Sequence, residues 1–164
     1  MSYREEYDAR SHLEEIQIQQ AGEIFRSLER DHGVKIYPEY LAVAYRPTRK
    51  EAMVRITDPL WPVRPLKHHD MFSAVTAFAF DDVESPKHGR IMFKLEGEKM
   101  WEFFEKNREV EVMNFHCMAG ISRSAGAAVA WARFKGDAKA EELIWGNPLL
   151  CPNKLVIETI SSHF

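Results

Sequence analysis

The sequence predicts an α/β domain: a central, mostly parallel sheet flanked by helices. Three observations carry that expectation. Strand-like apolar runs alternate with helix-like segments along most of the chain, the pattern that βα units leave in a sequence. The 164 residues are 45% hydrophobic and 29% charged, enough for one domain, residues 1–164, with a real core and little room for a second. Only two cysteines, Cys117 and Cys151, are present, so no disulfide framework stands in for that core.

The elements follow in order. Residues 1–10 are polar and are expected to be loosely held. In "SHLE", Ser11 and Glu14 have the form of a capping box. Leu13, Ile16, Ala21, Ile24, Phe25 and Leu28 then recur at helical spacing, and Gly33 is a natural stop, so an extra N-terminal helix over 11–33 is expected to lie on the domain. "YLAVAY" (40–45) and "AMVRIT" (52–57) read as short strands. Proline-rich "DPLWPVRPL" (58–66) must be loop or turn. "SAVTAFAF" (73–80) is strand-like and ends at Asp81-Asp82, and "ESPKHG" (84–89) is a loop. Met100, Trp101, Phe103 and Phe104, set among charged residues, form an amphipathic helix. "VEVMNF" (110–115) is a strand, "SAGAAVAWARF" (124–134) a small-residue helix and "AKAEELIW" (138–145) another. "NPLLCPN" (147–153) turns the chain into a final helix.

Composition excludes several function classes. A net charge of −3 gives no bulk attraction to nucleic acid or to acidic membranes. "MSYREEYDAR" at the start lacks the apolar core of a signal peptide, and no run approaches the ~20 apolar residues of a membrane helix, so the cytoplasm is the expected compartment. His68-His69-Asp70 looks metal-like, but adjacent residues of an extended chain point to opposite sides; a polar loop is expected there, and no metal or other cofactor.

The stretch that carries chemistry is "NFHCMAGISRSAG" (114–126). A loop leaving a strand and entering a helix N-terminus gathers backbone N–H groups around one point, and the helix dipole adds partial positive charge there. Gly120 can take the tight conformations of such a curl. Arg123, six positions after Cys117, offers a planar fork that matches two phosphate oxygens. The same environment favours a thiolate, and a thiolate at the base of an anion cradle is a nucleophile toward phosphorus. Cys-x5-Arg alone occurs often by chance; His116, Ser124 and the strand-loop-helix context make it specific. The competing reading is that Cys117 is a small core residue, Arg123 a surface cap and His116 a satisfied buried histidine.

"HCMAGISRSAG" resembles the phosphate-binding signature of the protein-tyrosine phosphatase superfamily, nearest its compact dual-specificity branch in the form of short bacterial members. "FAFDDVESP" (78–86) is similar to that branch's general-acid loop, with Asp82 lying 35 positions (117 − 82) before Cys117. The resemblance spans roughly residues 50–160; the 11–33 helix has no counterpart in it. It implies a three-layer phosphatase fold and hydrolysis of phosphate monoesters through a phosphocysteine on Cys117. The N–H groups of Met118, Ala119, Gly120, Ile121, Ser122 and Arg123 would cradle the phosphoryl oxygens, and the Arg123 side chain would bind two of them. Ser124 would stabilise the thiolate when the intermediate breaks down, and His116 would orient the loop. Asp82 is favoured over Asp81 as the acid, with Glu84 the next candidate.

Phosphotyrosine or another phosphoprotein, or a small phosphate monoester, is the implied substrate. None of residues 118–122 is basic, which argues against inositol polyphosphates. Arg64, Lys67, Lys87, His88 and Arg90 lie in loops that can rim the pocket or simply face solvent. Cys151 is expected in core or turn, with a resolving thiol as the alternative. Three rival functions remain: a catalytically weak relative that binds phosphorylated ligands, another anion-loop thiol enzyme such as an arsenate reductase or sulfur transferase, and a plain interaction domain.

Overall fold

The computed structural model describes residues 14–163. Four strands, β1 (Val34–Pro38), β2 (Glu51–Thr57), β3 (Ala74–Ala79) and β4 (Val112–Cys117), form a sheet of order β1-β4-β2-β3. Every pairing is parallel. Six α-helices accompany them among the described residues: α1 (Glu15–His32), α2 (Glu39–Ala44), α3 (Lys94–Lys106), α4 (Arg123–Lys135), α5 (Ala138–Trp145) and α6 (Lys154–Ser161).

Helix α1 begins one turn later than the sequence suggests. Its cap is Glu14, whose carboxylate accepts from the third helical residue, while Gln17 reaches back to the Glu14 N–H at 3.1 Å. Ser11 lies outside the described residues, as do Leu13 and residues 1–10. Gly33 ends the helix in the left-handed conformation, as expected. Ala21 and Leu28 are buried, with Ile24 and Phe25 packed alongside, but Ile16 is exposed.

The expected strand at 40–45 is a helix. Val34–Pro38 is the strand instead, and Pro38 then sets the N-cap of α2. "EYLAVA" carries Leu and two Ala, good helix formers, and as a strand it would have had to pair beyond a sheet edge already taken by β1. Observed β4 also runs to Cys117, two residues past the expected end.

Alternation along β4 sorts its residues onto two faces. Met113, Phe115 and Cys117 join the main core with Leu28, Val54, Ile56, Phe78 and Phe80. On the opposite face Tyr37, Ala42, Met53, Leu66 and Phe72 form a smaller cluster, closed by α2 and by the segment after β2. Helix α4 lies across the main face, buried from Arg123 through Ala132. Its alanines and glycine admit neighbours on every side: a Cβ at Gly126 would stand 2.7 Å from the Asn153 carbonyl oxygen. Phe104 packs edge-on against both Phe115 and Trp131 and locks α3 to the same core.

Candidate active site

In a parallel sheet, ligands gather beyond the carboxyl ends of the strands. Cys117 ends β4 there, fully buried. Residues 118–122 are a series of bends, and α4 starts at Arg123.

The curl of this loop is held from outside. The Met118 carbonyl accepts from the Glu39 N–H at 3.3 Å, the Ile121 carbonyl from Cys151 at 3.0 Å, and the Ser122 carbonyl from Asn153 at 3.0 Å. In a trans peptide the C=O and the following N–H point opposite ways. Outward carbonyls at 118, 121 and 122 therefore aim the N–H groups of Ala119, Ser122 and Arg123 into the curl. Gly120 makes the bend with φ +69°, and a Cβ there would fall 2.4 Å from the Tyr37 carbonyl carbon. Only glycine fits this crossing.

The Cys117 sulfur lies 3.1 Å from Ser124 Oγ. The Arg123 guanidinium donates from Nη1 to Asp58 Oδ1 at 2.7 Å and to the Phe80 carbonyl at 2.8 Å, so the ends of β2 and β3 fix its plane beside the loop. Ser122 occupies the N-cap of α4 but does not cap it; its hydroxyl donates to Asp82 Oδ1 at 2.7 Å.

His116 sits on the opposite face of β4, fully buried. Burial and the neighbouring Arg55 guanidinium push its pKa down to about 3, so the imidazole is neutral. Its Nε2 accepts from Arg55 Nε at 2.9 Å. The proton is then on Nδ1, which faces the Cys117 carbonyl at 3.4 Å. Histidine and cysteine thus share a strand end, one shaping the backbone and the other carrying the sulfur.

The two aspartates separate. Asp81 closes its own loop: its carboxylate accepts from the Arg90 N–H at 2.7 Å and its N–H donates to the Arg90 carbonyl at 2.7 Å. Asp82 is buried and faces the cysteine loop through Ser122, with Asn153 Nδ2 donating to the same oxygen at 2.9 Å. Glu84 accepts from the Lys154 N–H.

Arg90 braces the acidic loop, donating to the Ala79 carbonyl, pairing with Glu96 and stacking over Phe93. Cys151 is exposed rather than core, in the irregular segment after the 147–150 turn, and its backbone supports the cysteine loop. His69–Met71 forms one turn of 3₁₀ helix. Among the described residues no group of three or more His, Cys, Asp or Glu is placed to hold a metal ion, and no helix is long and apolar enough to cross a membrane.

No family model and no curated protein matches the chain. Solved structures do. Human tyrosine phosphatase-like serine/threonine/tyrosine-interacting protein superposes with TM-score 0.58 at 16% identity, over 80% of this chain and 90% of that one. Human DUSP28 gives TM-score 0.55 at 15% identity, covering 80% and 88%. Cydia pomonella PTP-2 phosphatase gives 0.51 at 14%, covering 80% and 86%. This is the protein-tyrosine phosphatase fold. It accounts for the parallel sheet and for a helix entered directly from the cysteine loop of β4. Three residues of this phosphatase-fold site escaped the sequence reading: Asp58, Arg55 and Asn153. Asn153 left a trace, since an Asn directly before an apolar helix is a cap signal. Asp58 and Arg55 left none, because their partners lie about 60 residues away.

Proposed function

We propose that the chain is a cysteine-dependent phosphatase that hydrolyses phosphate monoesters, phosphotyrosine foremost, through a phosphocysteine intermediate. The observation that carries this reading is the Cys117 sulfur 3.1 Å from Ser124 Oγ, inside a loop whose carbonyls are tied outward and whose arginine is pinned by Asp58.

The Cys117 thiolate attacks phosphorus and the ester P–O bond breaks. The N–H groups of residues 118–123 and the Arg123 side chain bind the three non-bridging oxygens, which supplies most of what phosphoryl transfer requires. Asp82 gives its proton to the departing alcohol oxygen. As a carboxylate it then takes a proton from the water that attacks the phosphocysteine, releasing phosphate. Ser124 donates to the thiolate as it leaves. His116, neutral and hydrogen-bonded on both nitrogens, holds the strand end in place.

The preference for phosphotyrosine rests on the segment after β2. Trp61 folds back in a turn, its N–H donating to the Asp58 carbonyl, and Asp58 is the residue that pins Arg123. Leu60, Trp61 and Val63 are exposed on it and offer an apolar rim to an aromatic leaving group.

The test is turnover of an aryl phosphate with chelator present. Wild type should act, orthovanadate should inhibit, and Cys117→Ser should lose at least ~10³-fold, since no nucleophile replaces the thiolate. Activity abolished by chelator and restored by zinc or magnesium would overturn the mechanism.

A further inference from the structure

Residues 151–154 bind two loops at once. On one side their backbone donates to the cysteine loop: Cys151 N–H to the Ile121 carbonyl and Asn153 N–H to the Ser122 carbonyl, both at 3.0 Å. On the other side they hold the acidic loop. Asn153 Nδ2 donates to Asp82 Oδ1 at 2.9 Å and to the Val83 carbonyl at 3.3 Å, and the Lys154 N–H donates to Glu84 at 3.1 Å. Asn153 also caps α6, its Oδ1 accepting from Val156 at 3.1 Å. It is 3% exposed, and α4 approaches it closely enough that only glycine fits at 126. One residue therefore fixes three bodies relative to one another: its side chain bonds the acidic loop and the start of α6, and its backbone N–H the cysteine loop.

We infer that Asn153 is a positioning residue, a clamp that presets the Asp82 loop against the phosphate-binding loop so that no large loop closure is needed to deliver the acid. The inference deepens the phosphatase reading and rests on it for its kinetic arm only. Asn153 touches no substrate atom; it acts through Asp82 and Ser122. Its amide presents a donor to Asp82 and an acceptor to Val156, so the two duties can be separated. Serine also accepts at an N-cap but is too short to reach Asp82. Aspartate keeps both the cap and the shape but turns an acceptor toward the Asp82 carboxylate.

Asn153→Ser and Asn153→Asp are compared with wild type by amide hydrogen exchange and by kinetics. Exchange across residues 80–86 should quicken about tenfold or more in both variants, while residues 118–126, still held by the backbone bonds, stay protected. In kcat/KM, the loss should be about tenfold or more on aryl phosphates with poor leaving groups and within about twofold on activated ones, since only the acid is misplaced. Unchanged exchange at 80–86 overturns the clamp whether or not the protein turns over substrate. An equal kinetic loss on all leaving groups, tracking lowered thermal stability, overturns it in favour of a purely structural cap. If wild type fails to hydrolyse any aryl phosphate, the phosphatase reading falls, and the exchange result still decides for or against the clamp.

Discussion

Adjacent carboxylates at 81 and 82 have the same chemistry, and their partners divide them. Asp81 is bonded to the backbone of its own loop, and Asp82 to a hydroxyl of the cysteine loop. Asp82→Asn should therefore lower turnover of poor leaving groups by roughly 10²–10⁴-fold, with a smaller loss on activated aryl phosphates and a flattened basic limb of the rate profile. Asp81→Asn should do far less to leaving-group dependence; the reverse pattern would exchange the assignments. His116 gives a prediction for stability. Its folded pKa of about 3 lies below the ordinary histidine value of about 6.5, so the unfolded chain binds the proton more readily. Its neutral form contributes stability fully above pH ~6.5, and that contribution is lost as pH falls toward 3, with a slope of up to about 1.4 kcal/mol per pH unit. Denaturation of His116→Asn should show a shallower acid dependence over that window, and identical slopes would count against a neutral buried imidazole. Cys117, Arg123, Ser124 and His116 were legible because they are contiguous. Asp58 was not, and Asn153 was legible only as a helix cap, because a residue's spatial partner 65 or 71 positions away leaves no periodicity to read.

Strands and helices were legible where the pattern was long or the composition extreme. The fully buried β2 reads as an apolar, β-branched run interrupted only by Arg55, and α4 is recognisable from small residues that let it be covered on all sides. The 34–45 region failed for a physical reason. A six-residue helix shows barely two turns, so its apolar residues carry no period, and Tyr40, Val43 and Tyr45 pull the reading toward strand. What settled it was tertiary: Gly33 ends α1 and releases Val34 directly into register with Met113. The same element carries the crossing with the cysteine loop, where Gly120 lies against Tyr37 and Pro38. Gly120→Ala should misplace the cradle, because both the positive φ and the 2.4 Å contact oppose a Cβ. The expected result is an activity loss of roughly 10²-fold, the scale on which a misplaced oxyanion donor acts, together with weaker orthovanadate binding measured by inhibition. A variant of wild-type activity would show that the loop does not depend on this bend.

At the scale of the molecule, α1 tests whether the chain is one folding unit. The helix has no place in the phosphatase resemblance, yet the structure ties it into the common core. Leu28 is 1% exposed and belongs to the main core cluster, together with Val34 of β1, Met113 of β4 and Ala132 of α4. Polar contacts reach further: Asn147 donates to the Ala21 carbonyl at 3.4 Å, and His32 meets Asp137, the cap of α5, at 2.8 Å. Glu29 pairs with both Lys35 and Arg49, which joins the helix to β1 and to the turn before β2. Exposed ion pairs of this kind contribute little, about 0–1 kcal/mol each, so Leu28 is the anchor to remove. Leu28→Ala deletes a fully packed side chain and should destabilise by about 2–5 kcal/mol. If α1 is integral, that loss falls on the whole domain: thermal unfolding stays a single transition and shifts down by roughly 5–15 °C, the shift expected for a chain of this size. Far-ultraviolet circular dichroism, which sees all helices, and fluorescence of Trp101 and Trp131 in the α3–α4 core, read in a background where Trp61 and Trp145 are replaced by Phe, should then report the same midpoint. An early helical loss in Leu28→Ala, with the tryptophan transition left where it is in wild type, would instead make α1 a separable appendage on a phosphatase-fold body.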